Sequence, residues 1–222
     1  MVILILAFPP GFISNGRFYD TWVVAAGILI IIFGQSLRAM VIGLVYIKRG
    51  GVNKKIYADT LATTGIFAHC RNPLYLANLM IVLGLLVVHN NMWVYILGIS
   101  FFLVSYSAIV LAEEEFLRQK FQDEYLEYCN RTGRWSFRLR GLGQTFSEMK
   151  FNWRRVLLKD YSTVMTWSIA LAIILARKTV TLKGLNNSGT SLGCLFLVLI
   201  LVLSTGLYIR TLKKSGRLTE NR

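Results

Sequence analysis

The chain is poor in acids and in cysteines: it has 11 Asp and Glu against 25 Lys and Arg, and three cysteines in 222 residues. Cys70, Cys129 and Cys194 are scattered and form no C-x-x-C pair, which argues against a disulfide framework or a structural zinc site. No metal site is expected. A P-loop, a dinucleotide-binding glycine motif and a Ser/His/Asp set are also missing from the sequence, so the chemistries those motifs support find no footing. Internal repeats and low-complexity tracts are absent. Met1 to Phe8 is apolar but has no basic start and no small-residue cleavage site. It reads as part of a first membrane segment, not as a signal peptide.

What the chain has is apolar sequence in blocks. Hydrophobic residues make up 55%, and the mean hydropathy is +0.52. This predicts an all-α, polytopic membrane bundle with about five or six membrane segments. Met1 to Ile13, interrupted by Pro9-Pro10, is either a broken first helix or an interfacial segment. A polar turn over Ser14 to Asp20 leads into Thr21 to Ile47, long enough to cross about 30 Å of hydrocarbon. A polar, basic loop follows from Lys48 to Thr64, with Gly50-Gly51 near its start. Leu74 to Val88 and Met92 to Ala112 read as a helical hairpin around His89-Asn90-Asn91, with Pro73 suited to a first helical turn. Tyr161 to Ala176 and Leu192 to Ile209 form two further spans. Past Glu113 the helical pattern continues, and Leu117, Phe121, Tyr125 and Tyr128 make one apolar stripe. That predicts a continuous helix leaving the bilayer to lie against protein or the interface.

The net charge of +14 would suit nucleic acid, but the basic residues sit between apolar spans. Lys48 to Arg71 holds five, Arg118 to Lys159 ten and the tail from Arg210 five, so 20 of 25 fall on one side. The positive-inside rule puts that side, with the C-terminus, in the cytoplasm. The expected partners are the bilayer and a membrane-borne molecule, and no nucleic acid.

Three clusters carry possible chemistry. Gln35 and Arg38 lie within the first long span. An intramembrane arginine costs about 2.5–3.5 kcal/mol on insertion scales, so Arg38 either faces protein, water or a partner or snorkels to the helix end. Glu113-Glu114-Glu115 sits at a membrane boundary, either as a solvated set of acids or in need of a cation. Arg71 at the start of the hairpin, or a bound cation, would supply it. Arg71-Asn72-Pro73-x-Tyr75 follows His69-Cys70, and either starts a helix within an aromatic belt or forms a binding corner.

Taken together, Gly65-x-Phe67-x-x-x-Arg71-Asn72-Pro73-x-Tyr75, a hairpin, then Glu113-Glu114-x-x-Leu117-x-x-x-Phe121-x-x-Glu124-Tyr125-x-x-Tyr128 resembles the isoprenylcysteine carboxyl methyltransferase and phospholipid methyltransferase superfamily. The resemblance covers roughly Asp59 to Trp135. It implies an integral-membrane methyltransferase that uses S-adenosyl-L-methionine. By position it implies a cofactor site of Leu61, Ala62, Phe67, His69, Asn72, Pro73, Tyr75 and Glu113, with Arg71 and Glu114 as catalytic candidates. Arg38, Arg134 and Arg138 are acceptor-side candidates. The basic stretch that holds the last two suits a phosphate or carboxylate headgroup, or is ordinary cytoplasmic charge. The acceptor class is a lipid or lipidated molecule: a prenylcysteine carboxylate, a lipid phosphate or an amine headgroup. The chain departs from the family pattern at Asn72, where histidine is usual, at Phe121-Gln122, where Phe-Gly is usual, and at Thr132-Gly133 in place of Val-Pro. Ile109 stands where eukaryotic members carry an arginine for the substrate carboxylate.

The reading divides the chain into residues 1–58 (N-terminal membrane helices and basic loop), 59–135 (methyltransferase core) and 136–222 (basic interfacial segment and two C-terminal membrane helices). Membrane sterol reductases, with Arg-Asn-Pro-x-Tyr before a helix and a late Tyr-Cys like Tyr128-Cys129, offer a nicotinamide-dependent alternative. A non-catalytic protein that keeps the fold is the third reading.

Overall fold

The structure is a computed structural model that describes residues 2–11, 17–44, 60–148 and 150–218. Most of the expected basic loop from Lys48, including Gly50-Gly51, lies outside the described residues, as do Phe12 to Gly16. All regular structure among the described residues is helical: α1 (Val2–Ala7), α2 (Arg17–Leu44), a 3₁₀ turn (Gly65–Ala68), α3 (Pro73–His89), α4 (Met92–Arg131), α5 (Leu142–Glu148), α6 (Trp153–Lys183) and α7 (Gly189–Lys214). Four of these are long and apolar enough to cross a membrane, and α3 is a shorter apolar helix of 17 residues. The fold is a polytopic helical membrane bundle.

Local sequence explains the hairpin. Pro73 opens α3 at its first turn, where the missing N–H costs nothing. Asn90 ends it in the left-handed region, at φ 56 and ψ 50, a conformation asparagine tolerates at a helix C-terminus. Asn91 then caps α4, its side chain accepting from the backbone N–H of Trp93 at 3.0 Å and of Val94 at 3.3 Å.

The tightest pairing is α2 on α3. A methyl group on Gly27 would sit 2.8 Å from the carbonyl of Gly84, and one on Gly84 would sit 2.6 Å from that of Gly27. Small residues let the two backbones approach where no hydrophobic effect drives helices together in lipid. Ile31, Ile81, Leu85 and Val88 pack at this crossing with Ala170 and Ile174 of α6.

Several boundaries differ from the sequence reading: α2 starts at Arg17, inside the polar turn expected over Ser14 to Asp20, and α7 runs from Gly189 to Lys214. Helix α6 starts at Trp153, ahead of Tyr161, because Asn152 caps it by accepting from the N–H of Arg155 at 2.9 Å. Helix α4 is continuous through Glu113-Glu114-Glu115 but breaks at Gln122, at φ 43 and ψ −116. The helix expected to continue past Glu113 is therefore kinked at Gln122. Leu117, Tyr125 and Tyr128 still share a buried cluster, because the bend turns the last turns of α4 toward Leu61 and the 3₁₀ turn.

Candidate active site

The motif residues converge at the end of the bundle where α3 starts. Asn72 holds the N-cap position of α3 but makes no side-chain capping bond. Its amide instead donates to Glu114 Oε1 at 3.0 Å and to the carbonyl of Arg134 at 3.4 Å. Glu114 is 7% exposed. Its other oxygen accepts from Arg134 Nε at 2.9 Å and pairs with Arg134 Nη2 at 2.7 Å. Arg71 approaches from the opposite side, with Nε 3.8 Å from Glu114 Oε1. Arg71 Nη1 donates to Cys129 Sγ. A buried carboxylate thus has two guanidiniums and one amide around it, which is how a charge survives away from water. The cluster keeps a net positive charge, and Arg71 Nε is buried without a hydrogen-bond partner among the described residues.

The bend in α4 makes this cluster possible. A straight helix would carry residue 129 about 22 Å from residue 114, yet one arginine touches both. Past the helix, the backbone N–H of Arg71 donates to the carbonyl of Gly133 at 3.0 Å and fixes the returning strand of chain that carries Arg134.

A second pair lies alongside. Tyr75 donates its hydroxyl to Glu113 Oε2 at 3.0 Å, and its ring sits 6.0 Å from that of Tyr106, which is 6.4 Å from Phe102. The face is acidic at one end and aromatic along its length. Such a surface suits a cationic group.

The pre-hairpin loop is braced from three sides. Tyr128 donates to the carbonyl of Phe67 at 2.7 Å. His69 is buried, with Nδ1 2.6 Å from the Arg138 carbonyl and Nε2 2.9 Å from Thr145 Oγ1. Cys70 is fully buried, with Sγ 3.6 Å from the Arg134 carbonyl, and burial pushes its thiol above the ordinary range. Arg134 is held above its ordinary value, chiefly by the hydrogen bond to Glu114. Between this loop and the end of α4 lies a cavity of about 410 Å³, lined by Thr63, Thr64, Glu124, Glu127, Arg131 and Arg138 among others.

The expected site residues therefore separate into groups. Arg71, Asn72, Glu114 and Arg134 meet in one cluster, and Tyr75 with Glu113 forms the next. Ala62 and Phe67 are buried in the packing between α2, α3 and the loop, while Leu61 packs on Tyr125 and Tyr128. Pro73 is buried at the helix start, and Arg138 is exposed at the cavity. Arg38 faces protein: it pairs with Asp160, donates to Asn78 Oδ1 and donates to Thr163 Oγ1 at 3.0 Å, and Asn78 links it to Tyr106. Gln35 donates to the other oxygen of Asp160 at 2.5 Å and accepts from Trp167 Nε1 at 2.9 Å. Ile109 is 47% exposed on the outer face of α4.

Sequence reasoning missed Asn78 and Asp160, and took Cys129 only as half of the late Tyr-Cys pair. Asp160 had a usable signal: besides Asp20, it is the only acid at the edge of an apolar span away from the Glu113 cluster, and a buried arginine needs an acid. Cys129 had none.

The comparisons with known proteins agree with the motif reading. Residues 22–124 match the model of a family described as phospholipid methyltransferase, part of the integral-membrane methyltransferase superfamily. A curated relative, the cobalt-zinc-cadmium resistance protein CzcN of Cupriavidus metallidurans, is 36% identical over 74 residues, covering 33% of this chain and 34% of that protein. The matched stretch is thus about a third of that relative's length. No solved structure matches.

Proposed function

With residues 22–124 placed in the integral-membrane methyltransferase superfamily, we propose that the protein transfers a methyl group from S-adenosyl-L-methionine to a membrane-embedded lipid or lipidated acceptor. The observation that carries this reading is the pairing of the two clusters, Tyr75 with Glu113 and Asn72 with Glu114, across 38 and 42 residues of sequence. They place acid, base and aromatic groups at one end of the bundle, the donor set that a zwitterionic sulfonium requires.

Glu113, with Tyr75 donating to it, would hold the ammonium group. Arg71, whose Nε has no hydrogen-bond partner among the described residues, would hold the carboxylate. The rings of Tyr75 and Tyr106 suit the sulfonium. When bound, the cofactor supplies an electrophilic methyl group. The protein's part is alignment: holding acceptor and donor in line contributes up to about 7–11 kcal/mol in favourable intramolecular systems. A base is unnecessary for an acceptor that is already anionic. The core of the enzyme is residues 59–135, and the charge bias supports a cytoplasmic position for this end of the bundle. A donor then enters from water, while the acceptor arrives through the bilayer.

The acceptor side is narrower than the sequence suggested. Arg38 and Arg134 are engaged by Asp160 and Glu114, so Arg138 at the cavity is the remaining basic candidate.

The test is thermal stability of the purified protein with S-adenosylhomocysteine and with NADPH, since a ligand that binds only the folded state raises its stability. Stabilisation by the homocysteine compound is expected. Stabilisation by NADPH alone would establish the reductase alternative, and a response to neither would leave a non-catalytic protein of the same fold.

A further inference from the structure

The segment between the candidate site and α6 is both basic and apolar on its exposed side. Arg138, Arg140 and Arg154 are exposed, and among them Leu139 is 74% and Trp153 70% exposed, with Phe146 at 38%. Helix α7 ends beside it: Lys213 Nζ lies 3.3 Å from the Leu158 carbonyl and 5.7 Å from the Tyr161 ring centroid. That contact brings exposed Lys214 and Arg217 to the same edge. Exposed tryptophan and leucine flanked by arginines, at the mouth of two membrane spans, match the headgroup layer and not bulk water.

The segment is not a loose tether. The N–H of Asn152 donates to the Gly43 carbonyl at 2.9 Å, and Phe151 fills the space where a side chain at Gly43 would stand. At the other end, the N–H of Arg138 donates to the His69 carbonyl at 2.9 Å while His69 holds Arg138 and Thr145 through its ring. His69 also stacks on Phe137, with centroids 6.0 Å apart. Whatever restrains residues 138–154 therefore restrains the loop at residues 65–69.

We propose that this face binds anionic lipid headgroups of the surrounding leaflet, and that these lipids, acting as bystanders and not as methyl acceptors, brace the loop through His69. Each basic residue near an anionic surface contributes about 1 kcal/mol, so the effect depends on lipid charge and fades with salt. Only the name of the braced loop, as the cofactor loop, rests on the methyltransferase reading. The lipid contact does not.

Hydrogen exchange of the full chain, without cofactor, in nanodiscs of phosphatidylcholine alone or mixed with phosphatidylglycerol, tests this. Exchange at residues 65–69 and 142–148 is expected to slow by at least about fivefold in the anionic discs, the worth of one such arginine. The slowing should vanish in high salt and in the triple variant Arg138→Gln/Arg140→Gln/Arg154→Gln. That variant should keep its wild-type thermal midpoint in phosphatidylcholine, which shows it folded. Equal exchange in both discs, or a difference that survives the triple variant, overturns the proposal. Transfer of labelled methyl to phosphatidylglycerol would overturn the bystander role and make this face part of the acceptor site. Failure to bind S-adenosylhomocysteine would sink the methyltransferase reading and leave the exchange result standing.

Discussion

Arg134 places both Nε and Nη2 on one oxygen of Glu114, at 2.9 and 2.7 Å, while the other oxygen takes the amide of Asn72 at 3.0 Å. Removing the carboxylate would leave two guanidiniums facing each other, one of them, Arg71, with a side chain only 13% exposed. Glu114→Gln is therefore expected to destabilise by about 3 kcal/mol, the lower end for a broken buried pair. Arg134, with its side chain 39% exposed, is partly screened, so Arg134→Ala should cost only about 1 kcal/mol. Asn72→Asp should be worse than Asn72→Ala, because it sets a second carboxylate against the first. Thermal unfolding in one detergent ranks all four, and the reverse order for the Asn72 pair would disprove the assigned contact.

Gln122 is at φ 43 and ψ −116 inside α4, a region that only glycine occupies easily. It stands where the family pattern carries glycine. Gln122→Gly should raise stability by about 1 kcal/mol by relieving that strain. Gln122→Val should lower it and also weaken the Arg71–Cys129 contact. A midpoint that falls in the glycine variant would mean the bend is not held as described.

Asp160 is 1% exposed and joins α6 to Arg38 and Gln35 of α2. Asp160→Leu alone should cost about 3–5 kcal/mol by leaving a buried arginine uncompensated. Combining it with Arg38→Met should restore much of that loss, since an apolar pair of similar volume is often neutral. A double variant as unstable as the sum of the singles would show no coupling across the pair.

Glu113 and Glu115 are two residues apart on one helix but differ in surroundings. Glu113 accepts from Tyr75, whereas Glu115 is exposed and accepts from Gln119 at 2.9 Å. Glu113→Gln and Tyr75→Phe should weaken binding of S-adenosylhomocysteine about tenfold, the loss of a charge-assisted hydrogen bond of roughly 1.4 kcal/mol. Glu115→Gln should leave binding unchanged, and Ile109→Ala should retain turnover. Calorimetric titration decides the register, and equal effects at 113 and 115 would count against it.

Cys70 is fully buried and its thiol is pushed up by desolvation. The folded chain keeps this proton at a pH where the unfolded chain gives it up. Its contribution to stability is therefore complete below the ordinary thiol pKa and declines as pH rises above about 8.5. Cys70→Ala should flatten the alkaline fall in thermal midpoint. A maleimide should label half-buried Cys129 before Cys70 in the native protein.

The hydrophobic blocks set the order of the spans, because crossing the hydrocarbon layer needs about 20 apolar residues whatever the fold around them. Pro73, Asn90 and Asn91 marked the hairpin through backbone rules that act within a few residues. The charge bias grouped the motif clusters on one face, and the motif spacing made the superfamily legible before any coordinates. Arg71 was read as the partner of the glutamates from hairpin geometry alone, and it does lie at Glu114.

The rest needed the tertiary structure. That Arg134 is the closer partner of Glu114, that Arg38 belongs to Asp160 from 122 residues away, and that α4 bends at Gln122 are outcomes of packing between distant segments. A charge buried in a bundle takes whichever partner the helices deliver, and no local pattern records that delivery. The sequence determined which residues lie in lipid and which cluster at its edge. Only the fold decided which of those charges neutralise one another.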